Sequence, residues 1–193
     1  MSSEQAKDSL PEFEGRRVAL GVSGGIAAYK AVEILRGLQR AGCNVRVGMT
    51  RRACEFVTPL TFRALSGAHV LVDDYAPDNP DPIAHITFSQ TVELFVVAPA
   101  TANIIAKLAH GIADDALSCV ALALNARARM LLAPAMNGKM WLHPATRQNA
   151  ATLKERGAEF IGPEEGLLSC GYEGLGRLWP AEKIGARVLE LLS

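Results

Sequence analysis

The chain has no surplus of charge: its 20 Lys and Arg residues balance 20 Asp and Glu. A general polyanion binder needs a basic excess on its surface, so that class is disfavoured, while a local cationic pocket is still allowed. Cysteine is sparse, with Cys43, Cys54, Cys119 and Cys170 making up the four present. None forms a CxxC pair, and no His is spaced from a Cys as in a zinc site, so the pattern offers no metal centre. No apolar run reaches the length of a membrane span. The opening stretch MSSEQAKDSLPEFEGRR holds no apolar signal-type segment. These absences point to a cytoplasmic protein with reduced thiols, any one of which could be catalytic. Internal repeats and low-complexity segments are also missing.

What is present suits one folded domain. The 193 residues are 49% hydrophobic and 21% charged, which is neither disordered nor fibrous. A chain of this size buries roughly 70% of its extended surface and needs no staples. Residues 1–15 read as a flexible solvated tail, and 16–193 as the domain.

Short apolar runs then alternate with helical patterns. Arg17–Val22 reads as a strand. Gly25–Ala41 reads as a helix with Ala28, Ala31, Val32, Leu35 and Leu38 on one face. Further strands are expected at Asn44–Met49, His69–Val72, Glu93–Ala98, Ala128–Ala133 and Glu159–Gly162. Helices are expected at Thr58–Leu65, from Ile83, over 101–126 with a break near Gly111, at 144–156 and at 181–192. Residues 76–82 are turn chemistry, with three prolines in seven positions. The alternation predicts an α/β class with a parallel, doubly wound sheet. From Pro99 to Ala126 only Lys107, Asp114 and Asp115 carry formal charge. Helices this apolar lie either deep in the monomer or under a subunit interface, and the interface is the favoured reading.

The first strand runs into Gly21-Val22-Ser23-Gly24-Gly25-Ile26 and then a helix. That context makes a phosphate cradle, because a helix start exposes unpaired N–H groups and glycines admit a ligand close to the backbone. A tight turn with no ligand is the plain alternative. The spacing is not GxGxxG, and the second strand ends in Met49-Thr50-Arg51-Arg52 with no acidic residue for an adenine ribose. NAD is therefore disfavoured, and the Thr50 hydroxyl suits a mononucleotide better. Arg51 and Arg52 could serve an NADP 2′-phosphate, although a solvated surface pair is the simpler account.

Six segments recur in order: GVSGGIAAYK (21–30), EFVTPLTFRAL (55–65), APATANIIAKL (98–108), GIADDAL (111–117), APAMNGKMW (133–141) and SCGYEGLGRL (169–178). Together they resemble the FMN-dependent cysteine decarboxylases, over roughly residues 17–180. The closest match within that family is to the members acting on 4′-phospho-N-pantothenoylcysteine in coenzyme A biosynthesis. The resemblance implies a three-layer α/β/α Rossmann-like fold in a single domain, assembled as trimers that often pack into dodecamers, with FMN where subunits meet. It implies that Ser23, Gly24, Gly25, Ile26 and Thr50 hold the FMN phosphate. Phe56, Ala100, Thr101, Asn103 and Met136 would line the ribityl chain and ring. It also implies a substrate clamp at about 163–180. In many bacteria the domain is fused to a synthetase, so the chain is expected to be a stand-alone enzyme or half of a bifunctional one.

Three residues match catalytic positions of the family: His85 after the Pro-rich turn, Asn137 in PAMN, and Cys170 in the clamp. His85 suits a thiol proton at neutral pH. Asn137 can donate two N–H bonds to a carboxylate without the strong charge stabilisation of an Arg. Cys170 lies among Gly166, Gly171, Gly174 and Gly176, a glycine density that reads as a lid over a site. Met140, Lys30 and Arg177 are the further substrate-binding candidates, the two cations for a phosphate. His69, His110 and His143 read as structural, and Cys43, Cys54 and Cys119 as packing residues. The sequence departs from the family pattern at Ala84, Thr101, Ile104 and His110, where the family usually has Gly, Ser, Thr and Asn. The implied reaction is decarboxylation through thioaldehyde and ene-thiolate intermediates. Competing readings are a decarboxylase of peptide C-terminal cysteine, a flavin prenyl transferase, a flavin-binding regulatory subunit that inhibits a phosphatase, and a plain binding module. Neither nucleic acid nor membrane is an expected partner.

Overall fold

Apolar side chains alternate along the central strands and feed two separate cores. In β1 (Arg17–Val22), Val18, Leu20 and Val22 point to one core and Ala19 to the other. In β3 (Leu94–Ala100), Leu94, Val96 and Ala98 join the first core, and Phe95, Val97 and Ala100 the second. A period of two with both faces apolar is the signature of a sheet covered by helices on each side. The structure is a computed structural model and describes residues 15–72, 81, 83–167, 171 and 173–193. The expected tail, most of the turn at 76–82 and the tip of the clamp with Cys170 lie outside the described residues.

With β2 (Asn44–Met49), β4 (Arg129–Pro134) and β5 (Glu159–Phe160), the sheet has the order β2-β1-β3-β4-β5, all parallel. The helices are α1 (Ala31–Arg40, preceded by a 3-10 turn at Ile26–Lys30), α2 (Pro59–Ser66), α3 (Ala84–Gln90), α4 (Ala102–His110), α5 (Ala116–Leu122), α6 (Gly138–Leu142), α7 (Pro144–Glu155) and α8 (Ala181–Leu191). Ile34, Leu35 and Leu38 of α1, Phe62 of α2 and Ile184 and Val188 of α8 fill the first core. Phe88 of α3, Ile104 and Ile105 of α4, Leu117 and Val120 of α5 and Leu153 of α7 fill the second. The result is three layers, α/β/α.

Residues 69–72 do not extend the sheet as a strand. They contribute a single bridge, Leu71 against Gly48. Most of the apolar 99–126 segment is accounted for inside the chain, where Ile104, Ile105, Leu117 and Val120 are buried; Ile112 and Leu122 stay exposed. Helix α5 reaches the sheet because Gly21 and Gly48 are paired across β1 and β2. A Cβ on Gly48 would stand 2.8 Å from Leu117 Cδ2, so glycine there makes room for the helix. After β5 the chain forms an antiparallel hairpin, β6 (Glu164–Leu167) with β7 (Glu173–Arg177), in the stretch that the glycine content marked as a lid.

Candidate functional site

Every loop that leaves the carboxyl end of β1, β2, β3 or β4 opens into one cleft of about 1290 Å³. The sheet order puts the chain reversal between β1 and β3, the position where open α/β sheets bind ligands. Two hydroxyls sit at that crevice. Ser23, only 1% exposed, donates through Oγ to the Pro99 carbonyl at 2.8 Å, with Thr101 Oγ1 a second acceptor at 3.1 Å. The same Oγ accepts from the Thr101 N–H at 3.1 Å. Thr101 in turn caps α4, accepting from the Ile104 N–H at 3.4 Å. The starts of the two helical segments are thereby tied together. The first N–H groups of a helix have no intrahelical acceptor, and the residues that carry them after Gly25 line the cleft.

Thr50 forms the neighbouring wall. Its N–H donates to Val22 O at 3.0 Å, and its Oγ1 accepts from the Ala53 N–H at 3.2 Å. Those bonds set the loop 50–53 against the glycines. A Cβ built on Gly24 would come within 2.5 Å of Arg52 Cβ, so only glycine allows this approach.

The opposite wall comes from β4 and the hairpin. Asn137 caps α6, its Oδ1 accepting from the Lys139 N–H at 2.9 Å. That commits Oδ1, so carboxylate recognition would fall to the Nδ2 hydrogens. The turn before it is fastened to β7: Met136 N–H donates to Gly176 O at 2.9 Å. Gly176 has φ +144, and a Cβ there would overlap Met136 O and stand 3.2 Å from Gly138 N. Both conformation and space therefore require glycine. Arg177, next on β7, faces the cleft with its stem across Gly166 of β6.

Of the residues singled out in the sequence, the cleft brings together Ser23, Gly24, Gly25, Ile26, Lys30, Thr50, Thr101, Asn103, Met136, Asn137, Met140 and Arg177. Ala100 is fully buried in β3, and Phe56 is 41% exposed beyond the lining. His85 sits on α3, a helix packed on α5, and is not part of this cleft within one chain. His143 serves structure, its Nδ1 accepting from the Ala145 N–H at 3.2 Å to cap α7. His110 meets Asn149 Oδ1 at 3.0 Å.

Sequence reasoning missed a charged network in the same wall. Lys107, with a side chain 17% exposed, lies 2.5 Å from Asp114 Oδ1 and 2.6 Å from Asp115 Oδ2. Burial alone would lower the Lys107 pKa, but hydrogen bonds to the two carboxylates outweigh it and the pKa is raised. The hydrogen bond from Lys107 holds the Asp114 carboxyl below its ordinary range. Asp115 also caps α5 in a reciprocal box with Ser118. The signal was available: these are the three formal charges in an otherwise apolar stretch. Arg51, Arg52 and Tyr29 line the cleft too. Around its mouth Ile26, Tyr29, Met140 and Leu167 are 58%, 54%, 49% and 67% exposed. Among the described residues no group of three or more His, Cys, Asp or Glu is placed to hold a metal ion. No described helix is long and apolar enough to cross a membrane.

Comparison with known proteins places the family and the fold. The family described as Flavoprotein matches residues 7–193. A coenzyme A biosynthesis bifunctional protein CoaBC of Bacillus subtilis is 52% identical over 172 residues, covering 89% of this chain and 42% of its own length. The chain thus spans about two fifths of that relative. A protein of Streptococcus mutans described as a probable phosphopantothenoylcysteine decarboxylase is 41% identical over 177 residues, covering 92% of this chain and 99% of the other. Among solved structures, a Cys-to-Ser mutant of PPC decarboxylase complexed with pantothenoylaminoethenethiol superposes with a TM-score of 0.83 at 28% identity, over 92% of this chain and 98% of that one. The FMN-dependent cysteine decarboxylase SpaF gives 0.76 at 30% identity, over 92% and 98%.

Proposed function

This chain belongs to the Flavoprotein family, and we propose that within it the protein is an FMN-dependent carboxy-lyase converting 4′-phospho-N-pantothenoylcysteine to 4′-phosphopantetheine for coenzyme A biosynthesis. The observation that carries the reading is the convergence, in one cleft, of the Ser23–Ile26 cradle, the Thr101–Asn103 helix start, the Met136–Asn137 turn and Arg177. At about 1290 Å³ the cleft exceeds the upper end of ordinary small-molecule sites, roughly 1,000 Å³, which suits a cofactor and a substrate together. The names of the relatives support the same substrate.

The residues present fit FMN. Ser23, Gly24, Gly25, Ile26 and Thr50 would take its phosphate at a helix start where the backbone is unshielded by side chains. Thr101, Asn103 and Met136 would flank the ribityl chain and ring. Phe56 and Ala100 are proposed to act at the rim and behind the wall. When bound, FMN would supply a reversible two-electron sink next to the thiol-bearing carbon, which the saturated substrate itself lacks.

The chain's own groups orient and move protons. Asn137 Nδ2 donates to the substrate carboxylate and stays neutral, so it holds the group without opposing its departure. Lys30 and Arg177, both on the cleft wall, offer cations to the substrate phosphate, and Met140 offers apolar contact at the mouth. His85 takes the thiol proton. Since His85 lies off the cleft of its own chain, it reaches a site through assembly: a homotrimer, able to pack into a dodecamer, brings the partner subunit's His85 to this cleft. The exposed Ile26, Tyr29, Ile112, Leu122 and Met140 support an interface of that kind. Cys170 supplies the proton that completes the product. A phosphopantothenoylcysteine synthetase, fused or separate, is the proposed upstream partner, and the cytoplasm the compartment.

Purified protein is expected to be yellow with a flavin spectrum, and to release CO₂ and 4′-phosphopantetheine from 4′-phospho-N-pantothenoylcysteine. A colourless protein that resists reconstitution overturns the cofactor. Faster turnover of a peptide ending in cysteine overturns the substrate in favour of the peptide-decarboxylase reading.

A further inference from the structure

We propose that Arg52 is a phosphate-contacting residue of the cradle, and that Glu55 is its internal competitor, released when a flavin phosphate monoester arrives. This rests on the FMN reading above. Arg52 follows Thr50 in the loop after β2, and its stem lies directly on the backbone of Gly24. A Cβ on Gly24 would stand 2.5 Å from Arg52 Cβ and 2.9 Å from its carbonyl carbon, and would overlap its Cγ. The loop is not free to swing away. Thr50 N–H is bonded to Val22 O at 3.0 Å, Ala53 N–H to Thr50 O at 2.9 Å, and Ala53 N–H also to Thr50 Oγ1 at 3.2 Å. The arginine is therefore rooted on the same loop end that the cradle uses, rather than standing as half of a solvated pair.

Among the described residues its head group meets Glu55, Nη1 donating to Oε2 at 2.8 Å, with side chains 70% and 61% exposed. Arg52 lines the cleft and Glu55 does not. An exposed pair three residues apart is weakly bound. A guanidinium carries five N–H donors in a planar fork, so most of the fork is left for another anion. A phosphate monoester close to its second ionisation presents up to two charges and three acceptor oxygens in a geometry that this fork matches. The doubly charged ligand then outcompetes the single carboxylate, and Arg52 exchanges Glu55 for the phosphate without moving its stem.

The test titrates flavin-stripped protein with FMN and with riboflavin, following flavin fluorescence, for the wild type, Arg52→Met and Glu55→Gln, at low and raised salt. Riboflavin shares the ring and ribityl chain but has no phosphate. Arg52→Met is expected to weaken FMN about 10-fold, the scale of one partly screened charge-assisted contact, and to leave riboflavin within about twofold. Glu55→Gln is expected to tighten FMN by about two- to threefold, the scale of an exposed ion pair. The salt dependence of FMN affinity should be shallower in Arg52→Met than in the wild type. FMN affinity unchanged in Arg52→Met makes the residue a surface ion pair only and overturns the proposal. Equal losses for FMN and riboflavin overturn it too, by making the role structural. If the wild type binds neither flavin, both this proposal and the FMN assignment fall.

Discussion

Replacing Ser23 by Ala probes the join between the first and third strands. The hydroxyl is buried and makes two strong contacts, a donated bond to Pro99 O at 2.8 Å and an accepted one from Thr101 N–H at 3.1 Å. Alanine removes both and leaves a carbonyl and an amide N–H facing a methyl group. Each stranded group costs about 1–3 kcal/mol. The N–H sits at a helix start, where cleft water can reach it more easily than the carbonyl, so the low end applies to the amide. The sum is about 2–4 kcal/mol, a large part of the roughly 5–15 kcal/mol that holds a domain together. For a chain of this size the loss corresponds to a fall in melting temperature of roughly 6–12 °C. Calorimetry on the flavin-free protein measures it without interference from ligand. A Ser23→Ala, Thr101→Val double-mutant cycle should be non-additive, because Thr101 Oγ1 shares the same hydroxyl at 3.1 Å. A fall below about 3 °C, or strict additivity, would refute the claim that this hydroxyl braces the crevice.

Three further outcomes follow from the site. His85→Asn should abolish turnover yet leave flavin bound, read by CO₂ release against the visible spectrum; retained activity removes His85 from the chemistry. Cys170→Ser should stop after CO₂ loss, with oxidised, decarboxylated product and reduced flavin accumulating; normal completion rejects the proton-donor role. The Lys107 network sets a pH signature. Asp114 has a depressed pKa, so its contribution is present above its unfolded value and disappears as pH falls through the folded one; Lys107 has a raised pKa, so its contribution is full below its unfolded value and is lost as pH rises through the folded one. The difference in melting temperature between the wild type and Lys107→Met should therefore be widest between about pH 5 and pH 9 and narrow at both extremes; a difference that is flat with pH contradicts the network.

The strands were legible where apolar residues run together or alternate with a period of two. Arg17–Val22 and Asn44–Met49 appear with the bounds read from the sequence, the first as an apolar run and the second because Val45 and Val47 alternate with Asn44 and Arg46. The stretch 69–72 has the same composition, but only Leu71 pairs, and pairing is a tertiary fact that composition does not carry. The hairpin at 164–177 was hidden by its glycines, which supply no side chains to alternate. Helix α6 was hidden inside a motif read for chemistry: Asn137 is at once a capping residue and a ligand candidate. Of the cleft residues, the glycine loop and Thr50 were legible because they follow strands, whereas Thr101, Asn103, Met136 and Asn137 came only with the family resemblance. Arg52 was legible only as a surface cation or a partner for an NADP 2′-phosphate, because its place in the cradle depends on the side chain that Gly24 lacks, distant in sequence but adjacent in space. His85 illustrates the other limit, for its distance from the cleft is a property of one chain, and the resemblance that singled it out describes an assembly.

The bond between Met136 and Gly176 has a bearing on how molecules are sorted by size. It joins the turn carrying Asn137 to the strand carrying Arg177, so under the proposed roles an amide for the carboxylate and a guanidinium for the phosphate would belong to one caliper rather than to two independent jaws. Such a gauge would read the span between the two ends of a ligand, and an analogue one methylene too long or too short is expected to satisfy either grip but not both.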